Sequence, residues 1–106
     1  MATEKSSDTL TATGSEDTLL DTGDDGTYVL CVDLSEMSNG DIVTIRISTK
    51  PLSTSTYGIV YQATYRDAQS IPIKESPPVV APHDFKATLE EESGSNSDYE
   101  WSVRYP

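Results

Sequence analysis

The sequence is poor in the residue types on which most catalytic and metal-binding sites depend. It has one cysteine and one histidine in 106 residues. An intramolecular disulfide is therefore impossible, and a zinc site would lack its sulfur and nitrogen ligands. His83 is the only histidine, and no serine stands in a Gly-x-Ser-x-Gly motif that would place a nucleophile beside it. These scarcities exclude a disulfide-stapled scaffold and predict a protein that is not an enzyme.

Basic side chains are also scarce. The chain has 7 lysines and arginines against 18 acidic residues, which gives a formal net charge of −11. Binding to nucleic acid requires clustered positive charge, and so does binding to an anionic membrane surface. No stretch approaches the ~20 apolar residues of a membrane-spanning helix. We therefore expect neither nucleic acid nor membrane as a partner.

The first eight residues show no apolar periodicity and lack the apolar region of a signal peptide. They predict a flexible N-terminal arm over residues 1–8 and folding without an export signal. Residues 9–106 are the length of one domain. The hydrophobic fraction of 35% favours a thin domain with one modest core.

A two-residue period runs through most of residues 9–106. In residues 27–34 the side chains of Tyr28, Leu30, Val32 and Leu34 fall on one face. Turn sequences such as Asn-Gly at residues 39–40 separate successive alternating runs. No window has a helical period. The pattern predicts an all-β, antiparallel sandwich of about seven to eight strands, and it leaves jelly-roll and immunoglobulin-like strand orders both open.

Two groups of residues were candidates for chemistry. Cys31 lies between Leu30 and Val32, which predicts a buried and unreactive thiol. The carboxylates of Asp21, Asp24 and Asp25 are hard ligands that suit Ca²⁺, but their spacing does not match the EF-hand loop. The sequence leaves calcium binding at these three residues open, and we predict no catalytic residue, cofactor or metal.

Aromatic residues recur at two-residue spacing in two of the predicted strands. An exposed row of such rings would form a platform for carbohydrate, whereas inward-facing rings would belong to the core. The alternation favours the core. A carbohydrate- or host-surface-binding module remains the alternative function. It would require exposed rings, whereas a core position would bury them, so the exposure of six residues is decisive: Tyr57, Tyr61, Tyr65, Tyr99, Trp101 and Tyr105.

Most of the chain resembles the small acidic β-sandwich structural proteins of tailed bacteriophage virions. The resemblance is one of overall pattern and includes no catalytic or ligand motif. It is carried by residues 27–34 leading into LSEMSNGD (34–41), then IRISTKPL (45–52), YQATYRDAQ (61–69), IKESPPV (73–79) and WSV (101–103).

Within that group the resemblance implies a capsid decoration or cement protein. Such a protein is made in the host cytoplasm, binds the major capsid protein on the outside of the phage head, often as a homotrimer, and stabilises the shell. A head–tail or tail component is a further alternative. The arm and a proline-stiffened segment are the expected contact residues: Met1, Ala2, Thr3, Glu4, Lys5, Pro77, Pro78 and Pro82.

Overall fold

A computed structural model describes residues 3–106, and within that range it contains nine β-strands and no helix. The strands form two sheets in which every pairing is antiparallel. In spatial order, the first sheet contains β1 (Glu4–Thr11), β9 (Asp98–Arg104), β3 (Gly26–Asp33) and an edge made of β6 (Ile73–Glu75) and β7 (Val79–Ala81). The second contains β2 (Glu16–Thr22), β8 (Phe85–Ser93), β4 (Ile42–Thr49) and β5 (Gly58–Arg66).

Alternating side chains of the two sheets meet in a single core. In β3 the side chains of Tyr28, Leu30 and Val32 are fully buried, as the two-residue period predicts. They pack against the inward-facing residues of the second sheet, and the Tyr28 and Phe85 ring centroids are 4.8 Å apart. Burying one such aliphatic side chain stabilises the fold by about 1.5–3 kcal/mol. The predicted all-β sandwich is confirmed.

The strand order is that of a jelly roll. An immunoglobulin-like domain keeps its first two strands in one sheet. Here β1 and β2 lie in different sheets, and the chain crosses between the layers at all but two connections, the β4–β5 hairpin and the short break between β6 and β7. The two sheets read β1-β9-β3-β6 and β2-β8-β4-β5, so the pair β6 and β7 together occupies the position of one jelly-roll strand. The structure thus distinguishes between the two connectivities that the sequence leaves open.

The structure corrects the prediction of a flexible N-terminal arm over residues 1–8. Glu4 to Asp8 belong to β1, which pairs with β9 from Glu4 opposite Arg104 to Thr11 opposite Asp98. The predicted arm was based on the polar side chains of this segment. An edge strand is held by backbone hydrogen bonds, however, and exposes much of its side-chain surface, so polar residues suit it. Met1 and Ala2 lie outside the described residues.

A β-bulge interrupts the two-residue alternation in β5. The alternation places Ile59 on the inner face with Tyr61, but Ile59 pairs with Ser48, whereas Tyr61 pairs with Ile47, so Val60 is an extra residue. A bulge of this kind shifts the alternation by one position. Ile59 and Val60 are consequently both exposed, at 57% and 54%.

A short proline segment interrupts the edge formed by β6 and β7. Between the two strands, the Ser76 hydroxyl accepts a hydrogen bond from the Leu30 N–H at 3.0 Å, and the Ser76 N–H donates to the Leu30 carbonyl at 2.8 Å. Pro77 and Pro78 follow and have no N–H to donate. The side chain of Ser76 thus replaces a missing backbone partner, and it is buried as a result.

One buried carboxylate anchors the loop between β8 and β9. Glu91 is only 2% exposed. It accepts hydrogen bonds from the Tyr99 hydroxyl at 2.5 Å and from the Asn96 N–H at 2.6 Å, with the Ser97 N–H at 3.3 Å. A charged acceptor with several donors can remain buried without a cation. The loop is therefore fixed to the core from inside.

Deleting residues 1–8 should destabilise the domain, because it removes more than half of β1. We expect a loss of about 2 kcal/mol, from a few backbone hydrogen bonds worth about 0.5–1.5 kcal/mol each. Urea unfolding followed by Trp101 fluorescence measures the change. Deleting residues 1–2 alone is the control, because it leaves the Thr3 carbonyl that accepts from the Tyr105 N–H at 2.8 Å. An unchanged unfolding midpoint for the longer deletion would contradict the β1 assignment.

Stability should fall at alkaline pH through Tyr99. Burial, and then the hydrogen bond to Glu91, raise the pKa of Tyr99 above its ordinary value of 10.0. The folded state therefore holds this proton more tightly than the unfolded state. The stability it contributes is complete below pH 10 and is lost as the pH rises through the pKa of the folded state.

A Tyr99→Phe variant tests this linkage. We expect its free energy of unfolding to decline less steeply above pH 10, by up to about 1.4 kcal/mol per pH unit. At neutral pH the variant should be less stable by about 1–3 kcal/mol, because Glu91 loses a donor. Urea unfolding at a series of pH values measures both effects. If the free energy of unfolding declined equally steeply with pH in both proteins, Tyr99 would not be the cause of the alkaline pH dependence.

Candidate binding surface

The predicted contact residues do not form one surface. Within the predicted arm, the side chain of Lys5 forms an ion pair with Asp24, and Glu4 lies 3.6 Å from Arg104. Both residues belong to β1, at one edge of the first sheet, whereas Pro77 and Pro78 flank the opposite edge. Pro82 is exposed just after β7, and Thr3 is exposed before β1. The two halves of the predicted anchor thus lie at opposite sides of the sandwich.

The outer face of the first sheet is a shallow acidic concavity of about 450 Å³. Its lining includes the carboxylates of Glu4, Asp8, Asp33 and Glu100, with Arg104 among them. Cys31 also lies on this face and is half-buried, which corrects the expectation of a buried thiol. No further layer covers this face of β3 among the described residues. Burial still raises the pKa of Cys31, so its nucleophilic thiolate is disfavoured.

The outer face of the second sheet carries a polar network. Arg46 donates to Gln62 and Glu90, each at 3.0 Å, and lies 3.5 Å from Glu16. Thr88 donates to the same Glu16 at 2.6 Å. Glu90 raises the pKa of the Arg46 guanidinium through this hydrogen bond. The charges of this face are therefore largely satisfied by each other.

The aromatic side chains do not form an exposed platform. Tyr99 and Trp101 are buried in the core. The ring of Tyr57 lies between two cations, with Lys50 Nζ at 4.8 Å and Lys86 Nζ at 5.7 Å from its centroid. The others are half-buried or lie near the C-terminus: Tyr61, Tyr65 and Tyr105. This arrangement disfavours the stacking surface that carbohydrate binding would use.

Exposed large apolar side chains concentrate on one side of the sandwich. β5 ends the second sheet and β6 with β7 ends the first. The two edges lie together, because Lys74 Nζ of β6 is 5.0 Å from the Tyr65 ring of β5. Six of the seven exposed large apolar residues belong to this side: Leu52, Ile59, Val60, Ile71, Ile73 and Val80.

The same side lacks the negative charge of the rest of the chain. Residues 51–82 contain two acids, Asp67 and Glu75, and two bases, Arg66 and Lys74. The remaining residues therefore contain 16 of the 18 acids and five of the 7 bases, so the entire net charge of −11 comes from them. We call residues 51–82 the neutral side. An apolar surface depleted of charge is what distinguishes the centre of a protein–protein interface.

The neutral side has two parts, one on the edge formed by β6 and β7 and one on the edge formed by β5. On the β6–β7 edge, Val79 and Ala81 point inward, so Val80 points out of the first sheet and is 70% exposed. Ile73 shares that outer face, since it pairs with Asp33, and it also lines the acidic concavity of the first sheet, which the patch therefore adjoins. We call Ile73, Pro77, Pro78 and Val80 the β6–β7 patch. The other part is the lateral edge of β5.

The candidates for chemistry do not converge. Asp21 accepts a hydrogen bond from the Tyr57 hydroxyl at 2.6 Å, while Asp24 is paired with Lys5. Within residues 3–106, no group of three acidic, histidine or cysteine side chains is arranged to hold a metal ion. His83 is half-buried in the turn that precedes β8.

Comparison with known proteins gives no relative. No family model matches the chain, and no curated protein or solved structure matches it either. In the part of the chain that the structure describes, no helix is long and apolar enough to cross a membrane. The neutral side is a surface that sequence reasoning identified only in part, through Pro77, Pro78 and Pro82. A count of charge along the chain also reveals that residues 51–82 are neutral, but it does not show which of their apolar side chains are exposed.

Proposed function

We propose that this chain is a structural protein of a virus particle, of the capsid decoration type, that binds the outside of the head and stabilises the shell. The observation that carries the proposal is the segregation of charge. The net charge of −11 comes entirely from outside residues 51–82, and six large hydrophobic side chains are exposed within that neutral segment. Such a surface suits attachment to another protein better than catalysis or binding of nucleic acid.

The β6–β7 patch is the part of the neutral side that suits attachment to a flat lattice. Ile73 and Val80 are exposed on the outer side of this edge, and the rings of Pro77 and Pro78 restrict the backbone of the segment that joins β6 to β7. A segment that is already rigid loses less conformational entropy on binding. Because Pro77 and Pro78 lack N–H groups, this edge contacts a partner through side chains and not through an added strand.

Attachment of this kind needs only modest affinity at each site. A capsid lattice offers many equivalent sites, and each bound copy that bridges neighbouring subunits adds to the stability of the shell. The jelly roll is also common among viral capsid domains, although it occurs in lectins too, so the fold is a supporting analogy and no more. The burial of Tyr99 and Trp101 favours the structural role over carbohydrate binding.

Binding to virus shells tests the proposal. Purified chain is added to particles of its own virus from which it has been removed, and bound copies are located by cryo-electron microscopy. We expect regularly spaced copies on the head surface. A Val80→Asp variant should weaken binding at least about tenfold, a cost of about 1.4 kcal/mol per site.

The matched control is Ser7→Asp, which adds the same charge to the exposed β1 strand at the other edge of the first sheet. It should bind like the unmodified chain. Location of the chain in the tail or neck, or its absence from the particle, would contradict the proposal. Equal loss in both variants would show that total charge, and not the β6–β7 patch, controls attachment.

A further inference from the structure

The lateral edge of β5 is the one long sheet edge without acidic residues. β5 has nine residues and ends the second sheet, and within residues 3–106 no strand pairs with its outer side. Its sequence from Gly58 to Tyr65 contains no charged residue, and Arg66 closes it. The opposite edge of the same sheet, β2, contains Glu16, Asp17 and Asp21.

Sheet edges in natural proteins usually carry a feature that prevents another strand from pairing with them. Charged residues, prolines, bulges and very short strands all serve this purpose. In this chain β1 and β2 have acidic residues, and the edge of β6 and β7 is short and broken by proline. β5 has only its bulge, which lies at one end and leaves Tyr61 to Arg66 in regular pairing with β4.

The regular part of β5 offers about 20 Å of backbone, at about 3.4 Å per residue. About half of the N–H and C=O groups of an edge strand point away from its partner and can pair with another strand. At the end of β5, however, the Arg66 carbonyl already accepts a hydrogen bond from Gln69 Nε2 at 2.8 Å. At the bulged end, Ile59, Val60 and the nearby Leu52 of the β4–β5 loop add exposed apolar surface. Backbone pairing and apolar contact are thus available side by side on this edge.

The charge distribution of the chain restricts how a second copy can approach the edge of β5. Two copies of a chain with a net charge of −11 repel each other, and the repulsion is weakest where they approach through their neutral sides. A strand in antiparallel register with its own copy is self-complementary, since each donor meets an acceptor of the same sequence about a two-fold axis. We propose that two copies of this chain form a dimer through antiparallel pairing of their β5 strands, joining the second sheets into one continuous sheet.

This dimer does not depend on the proposed attachment to a capsid. The side chains of the β6–β7 patch face away from the first sheet, whereas a strand that pairs with β5 would lie in the plane of the second sheet. The two contacts therefore use different surfaces of the neutral side. A two-fold interface of this kind closes with two copies. The proposed dimer differs from the homotrimer that the resemblance implies, and the number of copies in solution distinguishes the two.

Analytical ultracentrifugation of the full chain, from about 10 µM to about 1 mM, tests the proposal. We expect a monomer–dimer equilibrium that salt shifts toward dimer, because salt screens the repulsion between acidic surfaces. A Val60→Lys variant should weaken the dimer at least about tenfold, since lysine on an edge strand opposes pairing. Ile59→Lys is a second variant with the same expectation, and circular dichroism verifies that both variants fold.

Thr18→Lys is the matched control, because it places the same charge on the exposed outer edge β2. Each added lysine changes the net charge from −11 to −10 and so weakens the repulsion between copies, which by itself would favour association. A loss of dimer confined to the β5 variants therefore identifies the interface. A monomer at every concentration and salt level, a trimer, or equal effects of Val60→Lys and Thr18→Lys would overturn the proposal. So would a strand from another protein pairing with β5 while the isolated chain stays monomeric.

Discussion

Repulsion between like charges disfavours contact between this chain and a second copy, or any other acidic protein, over the acidic part of its surface. Sixteen acidic side chains lie outside residues 51–82; Glu91 is buried, and the others belong to the two sheets, including the β1 and β2 edges, or to the loops. The acidic concavity of the first sheet adds to this field. Only the neutral side combines exposed apolar area with balanced charge, and both proposals depend on that combination.

The core makes this division of the surface possible. Tyr28, Leu30 and Val32 of β3 face the second sheet, and every large side chain of that inner layer is committed to packing. Glu91 is the one fully buried carboxylate among the described residues, and it serves the fold by holding the loop before β9. Because the core is complete without them, the exposed apolar side chains of segment 51–82 do not contribute to the packing of a single copy. Such residues are commonly retained where a partner covers them.

Alternation predicted the fold class because a two-residue period leaves little freedom for strands that line a core. A turn at Asn39-Gly40 was likewise predictable, and Gly40 has the positive φ of 97° that the third position of a type II turn requires. Strand order was not predictable, because jelly-roll and immunoglobulin-like sandwiches share the same local pattern. The structure resolves it through long-range pairings such as β1 with β9.

Two local features escaped prediction for physical reasons. β1 is held by its backbone, so its polar side chains gave no periodic signal. The bulge at Ile59 and Val60 depends on pairing with Ser48 and Ile47, which no local window contains. Within the neutral side, Pro77, Pro78 and Pro82 were predicted as contact residues because of their stiffness. Leu52, Ile71 and Val80 were not, because the exposure of an apolar residue depends on the sheet that lies beneath it.

Hydroxyl-radical footprinting of the native assembled protein, compared with the dilute chain, tests most directly the claim that contacts are confined to the neutral side. Protection should appear at Leu52, Ile59, Val60, Ile71 and Val80, whose side chains are large, reactive and exposed in the single copy. Leu10 and Leu19, near the acidic β1 and β2 edges, should react equally in both states. Protection centred on those two leucines, with Val60 and Val80 still reactive, would contradict the account.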